Sequence, residues 1–517
     1  MQGLCAPHRR ISCIPILVMP RFTSRQWLTL LTVQMVTVLF GVTVTSAAVI
    51  LPQMKGALSA TQDQIAWVLT LNLVATAAAT PLTGWLASKF GWRRLMLGSV
   101  VGFTAATVAC GMTTSLESLL VFRVIQGAMG APIFPLGQAI ILARFERVQH
   151  PMALMMWGVG GVMGPILGPT FGGFVAELLD WRWSFFMIAP LGLAACIPII
   201  VSLGNEERGT ARRFDFLGFL LLAVAVGCLQ LVFDRGQREG WFESQTIIAQ
   251  SVLAATCIYF FIARSWYSSA PLFDGALFRN RNFMLGITFA LVMGMMQFTP
   301  LVLFPSLLQD LRDYPESIIG VLIAMRGVGN LLSFLIVAPL TRINPRATLA
   351  AGMLIQATAG LWMGQLNINL TVNDVVWTNL IHGFGFGLAY TPMAVLGFST
   401  LAAPLLTQGN ALFSLARMLG SSFFIALTLV VLVQSAAVAH ANLASTVTAD
   451  SARLFQPWID QFGSVGTGAF QLFASTEIYK QATMIGYLNA FHLLTVVPAL
   501  LAPLALCFHV KRSGTKS

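Results

Sequence analysis

Few side chains in this 517-residue chain can do chemistry, and several of them stand in apolar surroundings. His382 lies well inside an apolar stretch, and an imidazole titrates near neutral pH, so it is a candidate proton carrier. Asp234 closes another apolar stretch, in Phe-Asp-Arg-Gly, and is a second candidate, although its charge can equally be solvated or paired with Arg235. Arg123, Arg326 and Arg417 interrupt further stretches. A guanidinium at mid-bilayer costs ~2.5–3.5 kcal/mol, so each needs a polar cavity or a partner. Each can hold an anion or favour a neighbour's ionised form, and Arg123 completes the set of proton-coupling candidates with His382 and Asp234. The plainer readings are a neutral histidine with one interhelical hydrogen bond and, for Arg417, a side chain reaching back to the interface. All 19 Asp and Glu residues fall in loops or at the ends of apolar stretches. The six histidines are scattered, and the seven cysteines form no Cys-x-x-Cys pair. Paired catalytic carboxylates, metal-ligand spacing and a phosphate loop are all missing, so the expectation is a non-enzyme with no metal and no cofactor.

The elements that carry these residues must be membrane helices. The chain is 56% hydrophobic and 9% charged, with mean hydropathy +0.78. A soluble domain carries roughly 25% charged residues, so this chain cannot cover a water-facing surface. The net charge of +11 is not gathered on a polar domain, which excludes nucleic acid as a partner. The run ISCIPILVM (11–19) is short for a signal sequence, and Met19 is an alternative start to Met1.

A spanning helix needs ~20 mainly apolar residues. Fourteen such windows begin near residues 28, 65, 95, 118, 151, 184, 216, 246, 283, 317, 348, 375, 410 and 482. With the N-terminus in the cytoplasm, 20 of the 30 Lys and Arg residues fall on the cytoplasmic side, as the positive-inside rule requires. Both termini are then cytoplasmic. IQGAMG (125–130) in the fourth window is echoed by IHGFGFG (381–387) in the twelfth, each followed by a proline, Pro135 and Pro392. The echo divides an all-α polytopic chain into a cytoplasmic segment 1–27, a six-helix half 28–203, two inserted helices within 204–282, a second six-helix half 283–508 and a tail 509–517. Residues 438–481 read as a long periplasmic loop.

Three local patterns carry more. GWLASKFGWRRL (84–95) combines the turn glycines Gly84 and Gly91 with Lys89, Arg93 and Arg94. FRVIQG (122–127) places Arg123 inside the fourth span. GVGGVMGPILGPTFGG (158–173) precedes DWRWSFFMIAP (180–190). In this order they resemble the major facilitator superfamily, and within it the fourteen-span drug:proton antiporters, the EmrB/QacA-like group. LVFDRGQREGWF (231–242), LFRNRNF (277–283) and SLARMLGSS (414–422) are also similar to that group. The resemblance implies alternating access and export of hydrophobic or amphiphilic compounds driven by protons, in a bacterial inner membrane. In Gram-negative relatives it also implies a periplasmic adaptor and an outer-membrane channel as partners. The alternative is a transporter for one metabolite on the same fold.

The chain departs from the family where relatives carry carboxylates. An Asp expected in the first span corresponds to Thr43, and one in the loop after the second corresponds to Ser88; neither titrates near neutral pH. His382 or an interfacial acid is expected to replace the missing group. By the resemblance, the cavity lining draws on Gln34, Thr43, Thr45, Gln126, Gln138, Gln297, Asn330 and Asn379 beside Arg123 and His382, with Met293, Met295, Met296 and Phe298 as adaptable apolar contacts. Gly160, Gly164, Gly168 and Gly172 recur every four residues, a stripe that lets another helix approach closely. Pro165 and Pro169 are expected to bend this helix, and with Gly173 they complete the antiporter-type motif.

Overall fold

The computed structural model describes residues 22–204, 214–268, 271–446 and 468–509. Among these the regular structure is all helical. The spans are Ser24–Val49 (span 1), Gln64–Phe90 (2), Trp92–Gly111 (3), Leu116–Arg144 (4), His150–Leu178 (5), Trp183–Ser202 (6), Phe216–Arg235 (7), Gln245–Tyr267 (8), Arg281–Arg312 (9), Glu316–Ile343 (10), Pro345–Met363 (11), Val372–Phe398 (12), Leu406–Thr446 (13) and Gly468–Leu501 (14). Twelve pass a strict test of length and apolarity. Spans 5 and 11, of 29 and 19 residues, are long enough to complete fourteen. Side chains start them: Thr23, Thr61 and Thr371 each close a reciprocal cap with the residue three positions on.

The helices pair in a pattern that repeats. Span 1 packs on 5 and 6, span 4 on 2 and 3, and span 3 on 6. Adding eight to each number gives the second set: 9 on 13 and 14, 12 on 10 and 11, and 11 on 14. Across the middle, span 5 meets 10 and 12 as span 13 meets 2 and 4. Spans 7 and 8 pack on each other, and span 7 also touches spans 2 and 13. Span 12 buries 78% of its apolar window and span 8 only 17%, so the former is core and the latter lies on the lipid face. Exposed Leu335, Val252, Tyr259 and Trp266 give that face its apolar character.

Two features differ from expectation. Helix reaches into both ends of the stretch read as a loop over 438–481: span 13 continues to Thr446 and span 14 begins at Gly468, while 447–467 lie outside the described residues. Polarity marks the end of the bilayer, not the end of a helix, and an Ala-rich run keeps its helical preference in water. Forty-one residues of helix are ~60 Å long, about twice the hydrocarbon thickness. Span 4 also breaks at Ala131 and Pro132 into Leu116–Gly130 and Ile133–Arg144, whereas its echo, span 12, runs unbroken through Pro392.

Candidate functional site

Spans 4, 5, 9, 10 and 12 converge on a small central chamber. Its walls are Phe134, Trp157, Gly158, Gly161, Gln297, Asn330, Phe334, Phe386, Gly387, Tyr390 and Thr391. The room inside is about 20 Å³, enough for one water-sized group. The aromatics are ordered by each other: Phe134 lies 4.6 Å from Trp157, and Phe386 stacks on Tyr390. Trp157 Nε1 donates to Thr37 Oγ1 at 3.0 Å, which fixes the indole against span 1. Arg417 of span 13 sits behind this wall. Its Nη1 donates to Gln297 Oε1 at 2.7 Å, and its guanidinium lies 4.5 Å from the Phe134 ring centroid. The Arg417 Nε, the Tyr390 hydroxyl, the Thr391 hydroxyl and Asn330 Oδ1 are buried without a partner among the described residues.

A second polar cluster surrounds Arg123, which is buried and donates through Nη1 to Gln126 Oε1 at 2.8 Å. Gln126 in turn donates to Thr107 Oγ1 at 2.7 Å and accepts from Asn72 Nδ2 at 3.2 Å. The Arg123 guanidinium stands 4.9 Å over the Phe185 ring, so DWRWSFF closes over the cation of FRVIQG. Ser184 Oγ donates to Gly172 O at 3.1 Å and ties the same segment to the glycine stripe. Three motifs separate in sequence therefore meet at one place. The contacts found for Arg123 are uncharged; its Nε and Nη2 have no partner among the described residues.

His382 lies elsewhere, buried in span 12, and neither ring nitrogen has a partner among the described residues. A Cβ at the adjacent Gly383 would strike the Arg326 backbone, so spans 10 and 12 are in direct contact there. Arg326 donates to Met296 O and interacts electrostatically with His382. Asp234 is exposed at the end of span 7 and accepts from Thr70 of span 2.

The glycine stripe packs along span 1. A Cβ at Gly160 would fall 2.9 Å from Gln34 Oε1, one at Gly164 2.9 Å from Gly41 Cα, and one at Gly172 2.6 Å from Ser46 Cβ. Gly168 meets Thr45 and the backbone of Val42, and Gly173 faces Val49. The helix is continuous across this region, and the side chains of Pro165 and Pro169 lie outside the described residues. Thr43 and Thr45 each donate to a carbonyl one turn back, Leu39 O and Gly41 O. Equally close seams join spans 10 and 12 at Gly329 and Gly383, and spans 9 and 13 at Gly294 and Gly420.

Of the polar residues expected to line a cavity, only Gln297 and Asn330 reach the central chamber. Gln126 belongs to the Arg123 cluster, while Gln34 and Thr45 belong to the span 1 seam. Gln138 is buried with neither amide atom paired among the described residues, and Asn379 donates to Val375 O. Met293, Met295 and Met296 are core residues. The aromatic walls were missed; the clue was the alternation of Gly and Phe in 383–387, which only tertiary contact could orient.

The loop motif also meets span 13. Gly84 packs on Gln408, and a Cβ there would come 2.7 Å from Gln408 Cγ. Gly91 adopts φ +79°, which favours glycine, and separates two helices. Lys89 lies over the Trp85 ring at 4.7 Å, and Trp85 packs 4.4 Å from Phe214, the residue leading into span 7. Ser88 Oγ donates to Trp85 O. Arg93 is half-buried and Arg94 exposed.

Comparison with known proteins agrees with this geometry. The sequence model of the Major Facilitator Superfamily matches residues 33–425. The chain is 32% identical over 406 residues to the multidrug export protein EmrB of Escherichia coli K12, covering 78% of this chain and 79% of that one. It is 30% identical over 418 residues to the fatty acid resistance protein FarB of Neisseria gonorrhoeae, covering 80% and 82%. The solved structure of the human organic anion transporter MFSD10 (TETRAN) has a similar fold, with TM-score 0.56 at 14% identity, covering 93% of this chain and 100% of that one. A multi-pass helical membrane protein, matched over most of its length and built from two sets of six spans with the same pairing, belongs to the major facilitator superfamily.

Proposed function

We propose that the chain is a secondary active exporter of hydrophobic or amphiphilic compounds, a multidrug efflux protein of a bacterial inner membrane, working by alternating access and driven by protons. The observation that carries the reading is the central chamber. It lies where spans 4 and 5 face spans 9, 10 and 12, and it is walled by five aromatics and few polar groups. Such a wall suits varied lipophilic compounds better than sugars, whose hydroxyls need many partners. The repeated pairing supports two halves, 28–203 and 283–508, with spans 7 and 8 inserted between them. The named export and resistance functions of the relatives agree. Transport, not catalysis, is the activity.

With both termini cytoplasmic, Gly84 against Gln408 and Gly158 against Phe334 lie toward the inner side. The described conformation is then closed to the cytoplasm, and transport requires these contacts to part. His382 is the proposed proton carrier, with Arg326 as the charged group facing it. Asp234, at the outer end, is placed to exchange protons with the outside. An adaptor subunit and outer-membrane channel are the expected partners.

The test is a susceptibility panel in an efflux-deficient host, with and without an uncoupler. Protection against several lipophilic compounds that vanishes with the uncoupler is expected. Uptake instead of export of a tracer would overturn the reading.

A further inference from the structure

The central chamber backs onto a cation, Arg417. We propose that it selects lipophilic anions, with Arg417 and the Tyr390 hydroxyl anchoring a carboxylate or similar headgroup and the walls of Phe134, Trp157, Phe334 and Phe386 enclosing the apolar body. The inference rests on the exporter reading and names the substrate class of that same site.

A guanidinium withdrawn from water needs a counter-charge, and truncating the partner of a buried charge is costly because it leaves the other ion uncompensated. Arg417 is 7% exposed. What surrounds it is neutral: Gln297 on one nitrogen, the Phe134 ring against its plane, and Tyr390 as its electrostatic neighbour. The acids on the chamber's helices are far along them. Glu117 is the second residue of span 4, Glu177 the next to last of span 5, Asp310 the third from the end of span 9, Glu316 the first of span 10, and Asp374 the third of span 12. Span 13 has no acid. Of the arginines on these helices and on span 13, Arg144, Arg281, Arg312 and Arg342 stand at helix ends, whereas Arg123, Arg326 and Arg417 lie within the spans. A cation entering this chamber meets repulsion in a medium of low dielectric, and an anion meets attraction.

Of the four unpartnered buried groups at this wall, three can donate and one, Asn330 Oδ1, accepts. Arg417 Nε, the Tyr390 hydroxyl and the Thr391 hydroxyl are buried proton donors without acceptors among the described residues. A carboxylate supplies acceptors and no donors, which is the complement this set lacks. The room now present takes one water-sized group, so the ligand's body enters only as the two halves part. Gly158 faces the Phe334 ring and Gly161 the Phe134 ring, so no Cβ stands between either ring and span 5.

The test uses one skeleton with three charges: 2-naphthoate, 2-naphthamide and (2-naphthylmethyl)trimethylammonium. Binding to the full-length protein in detergent is measured by calorimetry, and transport in energised proteoliposomes. Naphthoate is expected to bind about tenfold or more tighter than naphthamide, with the ammonium compound weakest. Arg417→Gln should bring the naphthoate-to-naphthamide ratio toward one, and Arg417→Lys should restore part of it. Tyr390→Phe, which deletes only the hydroxyl, should lower the ratio several-fold and decides the matter if Arg417→Gln does not fold. An ammonium compound bound as tightly as naphthoate, or a ratio unmoved in both variants, overturns the proposal. Export of naphthamide without any anion preference would sink the anion inference alone. Anion-selective binding without energised export would sink the exporter reading and leave the site standing.

Discussion

Arg123 and His382 show how single residues are treated in a bilayer. Each is a polar group that the surrounding lipid would penalise, and each is enclosed by other spans. Arg123 is held by the Gln126 amide and the Phe185 ring; among the described residues His382 is held by packing alone. The ring is buried beside the Arg326 cation, so it takes up a proton only when the surrounding spans part and water reaches it. His382→Ala is therefore expected to reduce pH-driven export in proteoliposomes to the leak rate, and Asp234→Asn to slow it less. Full export by both variants across a pH gradient would remove them from coupling. Thr43 is expected to tolerate Val, because its hydroxyl serves a backbone carbonyl of its own helix. Gly91 is a different case. Its φ of +79° costs an L-residue roughly 1–2 kcal/mol, so Gly91→Ala should lower the thermal midpoint, while Gly98→Ala, with open space around it, should leave it the same or raise it.

At the scale of elements, the glycine stripe of span 5 explains itself. In water its helix breakers would undo a helix; in lipid an unpaired backbone group costs too much, so the helix persists and the glycines become contact surface. The contact is with span 1, within one set of six spans, and the equivalent seam between spans 9 and 13 uses Gly294 and Gly420. A side chain at Gly168 would strike the Val42 carbonyl and Ser46 amide, with a Cβ 2.8 and 3.0 Å away. Gly168→Leu is thus expected to abolish export while the protein still inserts, as shown by membrane fractionation beside a drug-susceptibility assay. Normal export would mean that spans 1 and 5 can separate at no cost. The stripe's existence was legible from the four-residue spacing. Its partner was not, since any helix can receive a glycine face.

At the scale of the whole molecule, the contact between Gly84 and Gln408 joins span 2 to span 13 across the two sets of six. A Cβ at 84 would lie 3.4 Å from that of Gln408, close to disulfide geometry. Gly84→Cys combined with Gln408→Cys, in a background without other cysteines, should cross-link on oxidation and stop transport, with recovery on reduction. Cross-linking that leaves transport running would show that this contact does not open in the cycle.

The number and order of the helices, the starts of the first thirteen spans to within a few residues and the motif-bearing segments were set by the sequence alone, because a bilayer demands about 20 apolar residues per crossing and penalises charge between the ends; only span 14 starts well before its window. The rotation of each helix was not. Lipid is as apolar as a protein core, so a span's lipid face and its packed face read alike, and the periodicity that orients helices in water is weak here. Gln34, Thr43 and Gln126 therefore looked as suited to a cavity as Gln297 and Asn330. Only tertiary packing separated them, and it alone brought Arg417, Tyr390 and Phe134, from three different spans, to one wall.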